Sequence, residues 1–165
     1  MRKSLKSIAL VASALTTLTF VPQVVSAQHI GVRGGINLND DSNTGFVGGH
    51  LQVPISGALK FYPSLNVYFP DAGSLLGLNV DLKYDLPATG APGFYLGGGL
   101  GIMRASYRGA HDNNVGANLL FGLESRTGPV HPFGEARVLV NDNTSFELVG
   151  GLNFAIGGSS RSRTR

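Results

Sequence analysis

From residue 28 onward the chain alternates between apolar and polar positions. In the stretch 59–70, Leu59, Phe61, Leu65, Val67 and Phe69 share one face, and Lys60, Tyr62, Ser64, Asn66 and Tyr68 share the other. A period of two sends successive side chains to opposite sides of a strand, so the pattern predicts a β-strand with one apolar face. The stretch 74–86 repeats it, with Leu76, Leu78, Val80, Leu82, Tyr84 and Leu86 set against Asn79, Asp81, Lys83 and Asp85. So do 113–126, 130–141 and 145–157, where Phe121, Val138 and Leu148 lie on apolar faces and Glu124, Arg137 and Glu147 on polar ones. The stretches 29–39 and 44–55 agree, with Ile30, Val32, Val47 and Val53 opposing Arg33, Asn37, His50 and Gln52. In 93–108 the alternation has one fault, because Arg104 shares a face with Phe94, Leu96, Leu100 and Ile102; it falls near one end, where a rim position tolerates it.

The breaks between these eight segments are turn compositions. Asn39 to Asn43, Ser56-Gly57-Ala58, Pro70 to Gly73, Pro87 to Pro92, Gly109 to Asp112, Thr127-Gly128-Pro129 and Asn141 to Thr144 are rich in Gly, Asn, Asp and Pro. Gly and Asn accept positive φ, and Pro fixes φ, so each break has a physical reason to turn. Eight strands joined this way predict an all-β, antiparallel, up-and-down meander that closes into a transmembrane β-barrel. The segments also exceed the 9–11 residues that cross a bilayer at a tilt.

The first 27 residues do not alternate. Met1 to Lys6 is basic, Ile8 to Val21 is apolar, and Val25-Ser26-Ala27 is a small-residue cleavage pattern, which together read as a secretory signal. The expected organisation is a signal over 1–27, a barrel over 28–157 and a disordered basic tail over 158–165.

Composition decides which face is inside. Of 165 residues 24 are Gly, only 14% are charged, and Cys and Trp are absent. Many glycines lie on the polar faces, among them Gly31, Gly35, Gly48, Gly97, Gly99, Gly101, Gly116, Gly122 and Gly151. A narrow lumen needs small side chains beside large ones, whereas on a solvated surface these glycines would only weaken strands. The polar-face charges balance as well. Arg33, Lys60, Lys83, Arg126 and Arg137 stand against Asp81, Asp85, Glu124, Glu135 and Glu147. Facing lipid, an Arg or Lys near the midplane costs ~2–4 kcal/mol, so these ten residues are expected to point inward as a paired charge network. The pairs Glu124/Arg126 and Glu135/Arg137 are expected to face one another across adjacent strands. The apolar-face aromatics Phe61, Phe69, Tyr84, Phe94, Phe146 and Phe154 sit toward strand ends, as an interfacial girdle would.

These features resemble the small outer-membrane β-barrel proteins of bacteria, the group of the OmpA transmembrane domain and OmpX-like proteins. The segments that carry the resemblance are GFYLGGGLGIMRASY (93–107), PFGEARVLV (132–140) and the last strand. The resemblance implies an outer-membrane location, contact with outer-membrane lipid, and a monomer. It further implies that Val149, Gly151, Phe154 and Ile156 form the signal read by the barrel-assembly machinery. With both termini periplasmic, the outer loops are expected at 39–44, 70–74, 108–114 and 141–144, all short. Two departures stand out: nine residues follow Ile156, and Pro63 sits within a strand.

Other chemistry finds little support. Beyond residue 27, ten basic residues meet ten acidic ones, and three of the basic ones are Arg161, Arg163 and Arg165 in the tail. That leaves no basic face for nucleic acid. His29, His50, His111 and His131 lack ligand spacing, and no metal or cofactor is expected. Ser106, His111 and Asp112 near a predicted outer loop are a weak hydrolase constellation, read here as a solvated turn. Gly97-Gly98-Gly99-x-Gly101 lacks the Lys and strand-turn-helix setting of a phosphate loop. The expected function is a structural envelope barrel without enzyme activity. The alternatives are a narrow diffusion channel and a secreted lipocalin-like carrier with an apolar lumen.

Overall fold

The computed structural model describes residues 28–39, 43–71, 73–87, 92–107, 110–140 and 144–156, with residues 107, 110 and 111 described by their backbone alone. The expected signal, the tail, and Asp40 to Ser42 lie outside the described residues. Eight strands follow in chain order: β1 (Gln28–Leu38), β2 (Asn43–Ser56), β3 (Leu59–Tyr68), β4 (Ser74–Asp85), β5 (Gly93–Tyr107), β6 (Ala110–Glu124), β7 (Val130–Val140) and β8 (Ser145–Ile156). Each pairs antiparallel with its neighbour, and β8 pairs with β1 from Gln28↔Ile156 to Leu38↔Phe146, so the sheet closes without an edge. We call the end holding Gln28 and Ile156 the base and the opposite end the rim.

Strand limits agree with the alternation to within a few residues, with one correction. Residues 108–114 were expected to form an outer loop. Instead the β5–β6 ladder runs on to Tyr107↔Ala110. His111 and Asp112 therefore belong to β6, and only residues 108 and 109 lie between the strands. The polar run His111-Asp112-Asn113-Asn114 reads as a loop by composition, but at a barrel end both faces of a strand meet polar surroundings. At the base, β2 and β3 join through Gly57-Ala58, where Gly57 takes a φ of 52°, a conformation that a side chain would oppose.

The polarity of the barrel is inverted relative to a soluble domain. Among the described residues, sixteen polar or charged side chains are buried against eight apolar ones. The outward face is apolar on every strand, from Val32 and Val47 through Leu100, Val115 and Leu119 to Leu148. Soluble monomers rarely expose contiguous apolar patches above ~300–600 Å², and here the apolar face runs around the whole barrel. The lumen is filled by polar residues, which does not fit the carrier alternative with its apolar lumen.

Closure depends on size alternation. Many of the large inward side chains have a glycine directly across a strand pair, although the central Arg137 does not. Arg33 lies between Gly48 and Gly151, Asp81 faces Gly99, Lys83 faces Gly97, Tyr95 faces Gly122, and Asn66 lies between Gly48 and Gly77. A Cβ at Gly99 would meet the Val80 carbonyl and the Asp81 side chain, whereas one at outward-facing Gly134 would meet nothing within 4 Å. Pro63 leaves its mark on β2–β3. The ladder is paired at His50↔Ser64 and Val53↔Phe61 but not between them, because Pro63 has no N–H to offer.

Gly99→Ala is expected to destabilise the barrel by ~1–3 kcal/mol through overpacking. Gly134→Ala should stay within ~0.5 kcal/mol of the parent. Urea unfolding in detergent micelles, followed by far-ultraviolet circular dichroism, measures both.

Candidate functional site

The lumen holds the chemistry of this protein. Its centre is Arg137 on β7, fully buried among three carboxylates. Its Nη1 lies 2.8 Å from Asp81 Oδ2 of β4, its Nη2 3.1 Å from Glu135 Oε1, and its Nε 4.0 Å from Glu147 Oε2 of β8. Glu135 also accepts from Arg33 of β1 at 3.3 Å and from the Tyr95 hydroxyl of β5 at 3.1 Å. Glu147 accepts from the Tyr68 hydroxyl at 2.6 Å and from the Asn37 amide at 3.2 Å. Asp81 accepts from Asn118, which also donates to Asn79.

A second group lies toward the base. Lys83 Nζ donates to Glu124 Oε2 at 2.9 Å and sits 3.6 Å from the centre of the Tyr95 ring, in cation–π geometry. Glu124 accepts in turn from Asn153 at 2.8 Å, and Asn153 bonds the ring of His50. His131 approaches Glu124 at 3.5 Å and packs against His29. A third group closes the base, where Asp85 receives Lys60 at 2.7 Å and Arg126 at 3.2 Å. Lys60 and Lys83 are directly opposite on β3 and β4. Like charges so placed repel, and each is drawn to its own carboxylate.

The structure thus places all ten predicted charge residues in ion pairs: Arg33, Lys60, Asp81, Lys83, Asp85, Glu124, Arg126, Glu135, Arg137 and Glu147. The partners differ from expectation in one respect. Glu124/Arg126 and Glu135/Arg137 do not face each other. The β6–β7 register sets Glu135 opposite Gly122 and Glu124 opposite Phe133. Arg126 therefore turns to Asp85, and Glu124 to Lys83.

Aromatic residues hold the charges apart. Tyr62, Tyr95 and Leu120 form one buried cluster, and Phe46, Tyr68, Phe133 and Val149 another, with Leu75 and Met103 packed on the second. Sequence reasoning missed Leu120 and Leu139 as lumen residues; both are buried. Their position parity was the available signal, masked because each is an apolar residue in a run of apolar neighbours.

Above Tyr68 the lumen opens at the rim into a cup of about 370 Å³, bordered by Asn37, Thr44, Met103, Asp112 and Ser145. Asp112 faces this cup, whereas Ser106, two strand positions beyond Arg104, faces outward beside it. Ser106 and Asp112 thus lie on opposite faces of the wall and do not form a hydrolase site. Among the described residues, no group of three or more His, Asp or Glu is placed to hold a metal ion. In the last strand Phe154 and Ile156 face outward, while Val149 and Gly151 face the lumen.

No protein-family model matches the chain, and no curated protein matches it in sequence. Solved structures do match in fold. The N-terminal β-barrel domain of Pseudomonas aeruginosa OprF is 14% identical, with a TM-score of 0.64 over 79% of this chain and 100% of that domain. Neisserial surface protein A is 15% identical, with a TM-score of 0.58 over 79% of this chain and 96% of that one. A de novo designed transmembrane β-barrel is 18% identical, with a TM-score of 0.60 over 82% of this chain and 100% of the design. The chain therefore has the fold of the small eight-stranded outer-membrane barrels.

Replacing Arg137 with Met would leave Asp81, Glu135 and Glu147 buried together without their shared cation. A loss of ~3–5 kcal/mol is expected, as when one partner of a buried ion pair is removed. Lys60→Met, at the partly exposed base, should cost no more than ~1 kcal/mol. Denaturant midpoints of the two variants, read side by side, check the contrast.

Proposed function

We propose that this protein is a structural barrel of a bacterial outer membrane, exported through residues 1–27, with a lumen plugged by its own ion pairs. One observation carries the reading: the charges are collected inside, and the apolar residues of all eight strands are turned outward. Hydrocarbon solvates such a coat, and water does not. The fold shared with the outer-membrane barrels supports the same location. It does not by itself define a role, since a designed barrel has it too.

The plugged lumen favours a structural role over a diffusion channel. Tyr62, Lys83, Arg137 and Glu147 are each 0% exposed, so the middle of the barrel is packed from wall to wall. No enzyme role is proposed, and no cofactor enters the reading. The partners are membrane lipid and, through Val149, Gly151, Phe154 and Ile156, the machinery that assembles barrels. The protein acts as a monomer.

Cells expressing the intact gene are fractionated, and the recovered protein is run unheated and boiled on SDS gels. Recovery in the outer membrane, resistance to carbonate extraction and a heat-dependent mobility shift are expected. Recovery as a soluble protein without a shift would overturn the reading. In planar bilayers the purified protein is expected to show no steady conductance; persistent open channels would favour the pore instead. Phe154→Ala, which removes an outward ring from the assembly segment, should lower the amount of folded barrel in the membrane. The stability of protein refolded in detergent should change much less.

A further inference from the structure

We propose that the rim carries a binding site for the phosphate of a membrane-lipid headgroup, built around Arg104 on the outward wall. The site rests on the membrane reading above. Arg104 is exposed, and among the described strand residues it is the one charged side chain on the outward face. No carboxylate pairs with it among the described residues. A lone guanidinium on a lipid-facing wall is costly at mid-depth and falls to ~0–1 kcal/mol near the interface. Arg104 lies in the last turn-ward residues of β5, at the rim, where that cost is smallest.

Its neighbours are suited to an anion. The register places Leu76 opposite Arg104 on one side and Asn113 on the other, and it pairs Ser74 with Ser106 one step nearer the rim. Arg104, Ser74 and Ser106 border an outward depression of about 370 Å³, whose apolar lining includes Val67 and Leu76. From the rim downward the outward face thus runs from the hydroxyls of Ser74 and Ser106, through the row of Arg104, Leu76 and Val67, to the branched apolar side chains of Leu78 and Ile102. A phosphorylated lipid has the same order, headgroup above acyl chain. The planar guanidinium presents parallel N–H donors that match two phosphate oxygens, which makes Arg the favoured residue for such an anion. The charge selects an anionic lipid over a zwitterionic one, and the apolar floor selects a lipid over free phosphate.

The test uses the full mature barrel folded in detergent. Wild type, Arg104→Gln and Arg104→Lys are each reconstituted in phosphatidylcholine discs doped with phosphatidylglycerol. Re-extracted protein is then assayed for retained lipid by native mass spectrometry. Wild type is expected to retain phosphatidylglycerol preferentially. Arg104→Gln should reduce that preference about fivefold, the factor one cation contributes near an anionic surface. Arg104→Lys should fall between. Equal retention by wild type and Arg104→Gln, with the heat-dependent mobility shift intact in both, would overturn the site while leaving the membrane reading standing. Loss of the bound lipid to millimolar inorganic phosphate would overturn the lipid as its source in favour of the free anion. Failure of wild type to enter discs at all would overturn the membrane reading, and the site with it.

Discussion

Everything in this structure follows from the narrowness of an eight-stranded barrel. Once β8 pairs with β1, the interior has a set cross-section, and the inward side chains have to fill it without straining the wall. The solution is size alternation. Glycines sit across from Arg33, Asp81, Lys83 and Tyr95, and the long side chains lie over them. The glycines are thus the negative image of the charge network. Without them the wall could not close around an arginine; without the arginine and its carboxylates the glycines would line a void.

The same narrowness sets the electrostatics. In so small a space a charge has few routes to water, so it must find its partner within the lumen. Arg137 is the extreme case, with a carboxylate approaching from each of three strands. Tyrosine is the natural spacer, because its ring fills volume and faces a cation while its hydroxyl reaches a carboxylate. Tyr95 does both, with Lys83 over its ring and Glu135 at its hydroxyl. The result is a lumen whose middle is filled with buried side chains, which is why the proposed role is structural.

Much of this was legible in the chain before any coordinates. Period-two alternation located eight strands, and the balance of charges on the polar positions picked out the ten residues that the structure pairs. What was not legible is instructive. Who pairs with whom depends on register, and a shift of four residues between β6 and β7 leaves Glu124 to Lys83 and Arg126 to Asp85. Register is written in the cross-strand ladder, not in the spacing along one strand. Leu120 and Leu139 are apolar yet face inward, because a lumen with aromatic spacers needs apolar filling too. The run at 111–114 looked like a loop because it is polar, but polarity separates strand from loop poorly at a barrel's end.

The central network also bears on the order of assembly. Its members come from β1, β4, β7 and β8, and also from β5 through Tyr95. A half-built sheet, holding β1 to β4, would present Arg33 to the membrane without Glu135, and Asp81 without Arg137. An intermediate that leaves out the last two strands holds Arg33 and Asp81 without the partners that β7 supplies. The ion pairs at the centre of the barrel are thus completed only when the last two strands are in place, β7 bridging to β1 and β4 and β8 closing on β1.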